Sequence, residues 1–303
     1  MVTTTTTTSS LPGTLPERPF GVHFRMARWK SIIVLIAAPL TLGLMQAIFW
    51  QLVVLIEGPP ADPTRPSLTP LAIAAAGLGT AVTALLMTVL VAHMAKVPWR
   101  AVFRHRRAFD WRRVGVYLLG SAGLVGLAIF VTWLIAPGST EWGSFGFGLT
   151  TVAIIAVTLT ATPLQSAGEE VIFRGVVVPA AGSWFRNIRL AVAFGILVSG
   201  ALFALVHVSL EPWFVTYMFV ISACTTFMGL ISGGLEAAMA FHVANNVVAG
   251  IVNAFFAGNE ATVVDRGADS GPNPALIILM VLNVAVVGMV WLVERAKRAS
   301  RED

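Results

Sequence analysis

Charge is what this chain has least of. Only 12% of its 303 residues are Asp, Glu, Lys or Arg, against about a quarter in ordinary soluble domains. With 56% hydrophobic residues, the chain cannot cover a soluble globule with polar surface, and the composition is that of a polytopic membrane protein. Cysteine is nearly absent. The one residue, Cys224, excludes an intrachain disulfide, and its apolar setting makes it a small buried side chain that says nothing of redox compartment. No His-Glu-x-x-His stretch occurs, so the usual spacing of soluble zinc proteases is missing. No direct or inverted repeat is found either, which weakens a transporter built from two related halves. No signal peptide is expected, because the first apolar stretch starts at Ser31 and is long enough to remain as a span.

What is present is apolar length. Eight runs can cross a hydrocarbon layer of about 30 Å: Ser31–Glu57, Leu71–Ala95, Val114–Ile135, Phe147–Val178, Leu190–Val208, Trp213–Gly233, Leu235–Phe256 and Ala275–Val293. The expected fold is all-α, with about eight transmembrane helices. Lys and Arg then set orientation by the positive-inside rule. Seventeen of the 20 basic residues fall on one side: before the first run, in the 96–113 loop, at Arg186 and Arg189, and after the last run. Arg65 and Arg266 fall on the other side, and Arg174 lies within a run. Both termini are therefore expected in the cytoplasm, in a multi-pass protein of the cell membrane, a bacterial inner membrane by preference. The +5 formal charge is a topology signal, and no nucleic-acid partner is expected. Eight of the nine tryptophans lie near run ends, where amphipathic rings favour the headgroup layer. Residues 1–30, a Thr/Ser tract followed by Pro12, Pro16 and Pro19, are expected to form a disordered cytoplasmic tail.

Against this background two adjacent glutamates stand out. The fourth run reads Gln165-Ser-Ala-Gly-Glu169-Glu170-Val-Ile-Phe-Arg174, and ionisable groups at such depth are expensive enough to mark function. On a helix Glu170 and Arg174 are four apart and can pair. Glu169 points about 100° away, towards a polar cavity where a partly desolvated carboxylate can act as general base. His207 follows Phe203 by four residues, and His242 and Asn246 share one helix face at the same spacing. That last pair can complete a metal site or direct donors at an oxyanion. One difficulty concerns depth: a straight helix from Leu190 carries His207 about 27 Å inward, whereas His242 lies only about 10 Å from Leu235. A tilted or peripheral Leu190–Leu197 stretch and a kink at Pro163 would bring the motifs to one level.

Glu-Glu-x-x-x-Arg, Phe-x-x-x-His and His-x-x-x-Asn, in that order on three apolar runs, resemble the CPBP (ABI-type) family of intramembrane proteases: CAAX prenyl proteases, bacteriocin-processing enzymes and relatives. The likeness covers about residues 150–255, including Gly229 and the Gly233-Gly234 turn. It divides the chain into the tail, motif-free transmembrane helices over 31–146, a protease core over 147–256, and a terminal part over 257–303 with an extracytoplasmic loop, the last helix and a basic tail. The resemblance implies Glu169 as the water-activating glutamate with His207 as its partner, Glu170 and Arg174 completing the first motif, and His242 with Asn246 forming the third. Asn245 carries no role in the family.

Hydrolysis of a peptide in the bilayer needs a water, a base, oxyanion donors and an acid for the leaving amine. Two arrangements supply them: a zinc ion held by His207, His242 and Glu169, or a metal-free site in which Glu169 and His207 activate water while His242 and Asn246 bind the oxyanion. The resulting expectation is an intramembrane endopeptidase acting on membrane-associated or lipidated substrates, prenylated or not. The competing readings are a non-catalytic scaffold or bacteriocin self-immunity protein of the same fold, and an ion- or proton-coupled transporter.

Overall fold

The structure, a computed structural model, describes residues 11–60, 67–140, 142–209, 211–263 and 273–302. Eight helices among these are long and apolar enough to span a bilayer. They are α1 (Arg28–Glu57), α2 (Pro70–Ala95), α3 (Trp111–Ile135), α4 (Leu149–Gly182), α5 (Ile188–Val206), α6 (Pro212–Ser232), α7 (Glu236–Phe256) and α8 (Pro274–Glu302). Among the described residues, strands are limited to an antiparallel contact of two residues each, Ser67–Leu68 with Thr262–Val263. Arg65 and Arg266, which bear on orientation, and residues 1–10 of the expected tail lie outside the described residues.

Polar residues at the loop junctions start and stop the helices. Thr69, Asp110, Asn187 and Glu211 each cap the N-terminus that follows, their side chains accepting from Ala72, Arg112, Leu190 and Trp213 backbone N–H groups. Pro70 and Pro212 stand at first helical positions, where a missing N–H costs nothing. Gly233, at φ 74°, ends α6 in the left-handed region that a side chain would disfavour. The distribution of side chains is that of a protein solvated by hydrocarbon. Leu40, Leu85, Leu119 and Leu149 face outwards, whereas Thr83, Ser166, Ser199 and Ser222 are buried between helices.

The helix carrying His242 is central: α7 packs against both α3 and α4, and α4 against α2. Small residues bring α2 and α4 close, since a Cβ at Gly77 would sit 2.5 Å from the Ala161 carbonyl oxygen. Within α4, the chain is α-helical through Glu170, π-helical from Val171 to Val177, and α-helical again to Gly182. The departure from α geometry thus comes directly after the two glutamates and not at Pro163, which the α stretch contains. Single π turns of this kind concentrate at functional sites.

Two further findings differ from the sequence expectation. Residues 11–27 are packed rather than disordered. Phe20, Val22, Phe24 and Met26 are buried at alternate positions. Arg18 donates to the Phe185 (2.9 Å) and Arg186 (2.6 Å) carbonyls, tying this segment to the connection between α4 and α5. His23 donates through Nε2 to the Ala101 carbonyl at 2.8 Å and accepts at Nδ1 from the Gly21 N–H at 3.2 Å. Burial, then the neighbouring His105, hold its pKa down at about 3. The buried alternation of apolar residues outweighs the Thr/Pro composition on which the tail was expected to be disordered. The second finding concerns depth. Leu235 and Glu236 are fully buried, because the loop before α3 lies over them. Leu235 N–H bonds the Phe103 carbonyl (2.9 Å), His105 N–H bonds the Gly233 carbonyl (3.1 Å), and Arg107 pairs with Glu236. Helix α7 therefore starts beneath a cover and not at an open surface, so the distance from Leu235 does not measure how far His242 lies from the surface of the protein.

Candidate active site

The end of the α stretch of α4, the π stretch that follows it and the second turn of α7 bring four of the six candidate residues together. His242 Nδ1 lies 2.7 Å from Glu170 Oε1, and Arg174 Nη1 lies 3.2 Å from the same oxygen. A carboxylate accepts, so His242 donates through Nδ1, which leaves Nε2 facing the other glutamate at 3.6 Å from Glu169 Oε2. That gap exceeds a direct hydrogen bond. Glu170 and Arg174 are sealed at 0% and 1% exposure, and Glu169 keeps 7%. Glu170 bonds Arg174 and His242 through one oxygen, and Glu169 Oε2 has no hydrogen-bond partner among the described residues.

The guanidinium has little other company. Its carbon stands 4.6 Å from the Phe203 ring and 6.0 Å from Phe173, a cation–π arrangement in a desolvated setting. None of its nitrogens forms a well-directed hydrogen bond among the described residues. Phe203 also touches both histidines, at 4.7 Å from the His207 ring and 6.1 Å from His242.

His207 and Asn246 sit at the margin of this cluster. His207 closes the C-terminus of α5, half-buried, with Nδ1 2.6 Å from the Phe203 carbonyl. A carbonyl only accepts, so Nδ1 carries the proton and Nε2 is the free acceptor in the neutral ring. Among the described residues His207 pairs with neither glutamate, and the histidine that does is His242. Asn246 donates to Ser166 Oγ at 3.1 Å and accepts from Asn245 at 3.0 Å, and its second N–H has no partner among the described residues. Two residues that the motifs do not contain take part. Gln165 donates to Glu169 Oε1 at 3.3 Å, which turns Oε2 towards His242, and Ser166 orients Asn246. Their signal in the sequence is spacing: Gln165 and Ser166 stand one turn before Glu169 and Glu170.

No three His, Cys, Asp or Glu side chains among the described residues are grouped so as to hold a metal, while His242, with Nδ1 on Glu170, keeps Nε2 towards Glu169.

Beside the cluster an apolar trough of about 560 Å³ runs between α2, α4 and α7, bounded by Ala84, Leu85, Phe103, Gly168, Val171 and Met239. A second cavity, of about 440 Å³, continues it through Trp99, Phe103 and Met239 towards Trp111. Gly168 adjoins Glu169 in the chain, and Met239 lies one turn before His242.

Residues 148–248 match the family described as type II CAAX prenyl endopeptidase Rce1-like. All three motifs fall in that segment, so the resemblance they suggested is shown there, in a chain with eight helices long and apolar enough to cross a membrane among the described residues. The chain is also 25% identical over 167 residues, 52% of its length, to the uncharacterized protein YyaK of Bacillus subtilis (strain 168). It spans about half, 53%, of that relative. No solved structure matches.

Proposed function

We propose that the protein is an intramembrane endopeptidase of the cell membrane, in which Glu169 activates a water molecule without a metal ion. The observation that carries this reading is the pair of unequal glutamates: one neutralised by Arg174 and His242, the other aimed by Gln165 and left open towards His242 Nε2. A water held by Glu169 Oε2 and His242 Nε2 presents its lone pair to a peptide carbonyl. Glu169 takes the proton as the C–O bond forms and returns it to the leaving nitrogen as the C–N bond breaks. The free Asn246 N–H supports the oxyanion, and His207 Nε2 serves as a second acceptor at the rim. The apolar trough beside Gly168 supports a substrate that carries a hydrocarbon chain or a membrane-embedded segment.

The test compares cleavage products of a membrane proteome treated with wild type and with Glu169→Gln. We expect a loss of at least about a hundredfold with membrane insertion unchanged. Equal cleavage by both proteins would return the chain to a scaffold, self-immunity or transport role. Elemental analysis of the same active sample decides the metal: less than about one-tenth of a zinc per chain accords with the site proposed here, and stoichiometric zinc that leaves together with activity defeats it.

A further inference from the structure

Away from the glutamates, a cavity of about 420 Å³ opens between the α6–α7 turn, the loop before α3 and the last turns of α8. Five cations line it, Arg106, Arg107, Arg113, Lys297 and Arg298, against one acid, Glu294. Part of this charge is matched within the chain. Arg107 binds Glu236 and the Ser232 carbonyl (2.7 Å), and Arg113 binds Glu294, which Lys297 approaches at 3.6 Å. Arg106 and Arg298 are exposed and have no acidic partner among the described residues. His105, also in the lining, is 3% exposed, and neither ring nitrogen has a hydrogen-bond partner among the described residues. Arg106 is held at φ 62°, a conformation that residues other than glycine adopt rarely and that recurs at ligand sites.

The depth of the cavity bears on its occupant. Trp111 on α3 and Trp291 on α8 are exposed within about a turn or two of the lining residues, and such rings sit at the headgroup level. Phe20, Leu230 and Ile231 give the cavity an apolar side. A soluble anion satisfies the cations only. A ligand with an oxyanion joined to hydrocarbon satisfies both the cations and the apolar side. We propose that this cavity binds the phosphate headgroup of an anionic phospholipid, with Arg106 and Arg298 as its charge-assisted donors and Arg107 and Arg113 fixed behind them by Glu236 and Glu294. Bound there, the lipid bridges α3, α8 and the turn from which the His242 helix starts.

Native mass spectrometry of detergent-solubilised protein, titrated separately with dioleoyl phosphatidylglycerol, dioleoyl phosphatidylcholine and inorganic phosphate, tests this. We expect one phosphatidylglycerol bound at least roughly tenfold more tightly than phosphatidylcholine, and roughly thirty-fold more weakly by Arg106→Gln/Arg298→Gln. Both side chains are exposed, so that variant should elute like wild type. Arg186→Gln/Arg189→Gln, which removes the same charge from exposed positions elsewhere, should retain binding. Equal affinity for phosphatidylcholine, equal loss in the control variant, or inorganic phosphate binding as tightly as the lipid would each overturn the proposal.

Discussion

Arg174 holds a full charge at 1% exposure beside Glu170 at 0%, so each is tolerable only because of the other. Removing one member of a buried pair costs roughly 3–5 kcal/mol, whereas replacing both with apolar or neutral groups is often close to neutral. Arg174→Ala should therefore lower folded yield as well as activity. Glu170→Gln/Arg174→Met should recover yield without recovering activity, because His242 loses its carboxylate. Yield of monodisperse protein and thermal unfolding in detergent measure this, and a stable Arg174→Ala protein would show that the pair is not buried. At this scale the sequence disclosed what lies along one helix. The Glu170–Arg174 and His242–Asn246 spacings, and the different duties of adjacent glutamates, follow from 3.6 residues per turn. It could not disclose that His242, 72 residues from Glu170, and not His207 bonds Glu170 and faces Glu169. That choice depends on the packing of α4 against α7, which no local spacing encodes.

Helices were the most legible elements, since every span was set by apolar length and four of them open on a capping side chain. The π stretch was not legible, because Val171–Val177 reads as ordinary apolar helix. Helix contacts were also hidden, yet they are testable. A methyl group at Gly77 would meet the Ala161 backbone, so Gly77→Ala should destabilise the α2–α4 contact by about 1–3 kcal/mol, read as a lowered Tm. An unchanged Tm would mean that the helices are further apart than described. The packed 11–27 segment yields a pH dependence. His23 titrates near 3 in the folded protein and at about 6.5 when unfolded, so between these values the unfolded chain binds a proton that the folded chain does not. Stability is complete above about pH 6.5 and falls as pH drops below it, by about 1.4 kcal/mol per unit. His105, whose pKa burial also lowers, acts in the same direction. Thermal unfolding between pH 8 and 5 should show the slope, and His23→Gln should flatten it; an equal slope in both would remove His23 as its source.

For the molecule as a whole, the basic loops predict which face is cytoplasmic. In a Cys224→Ser background, a membrane-impermeant maleimide should label Gly138→Cys in intact cells and Ala108→Cys only once the cytoplasmic side is opened. The reverse pattern would invert the topology. The spans were legible at this scale because hydrocarbon thickness dictates them, whereas the cover over the start of α7 was not, because loop 99–110 has no periodic pattern. The central position of α7 between α3 and α4 also constrains what the proposed peptidase can cut. An intact substrate helix is about 10 Å across with its side chains, and separating α4 from α7 to admit one would pull His242 away from both glutamates. A substrate entering between α4 and α7 would therefore reach Glu169 with the site assembled as a single unwound strand and not as a helix. Selection should then follow how readily a segment uncoils within the bilayer, favouring glycine-, proline- or end-frayed stretches over any fixed sequence of side chains.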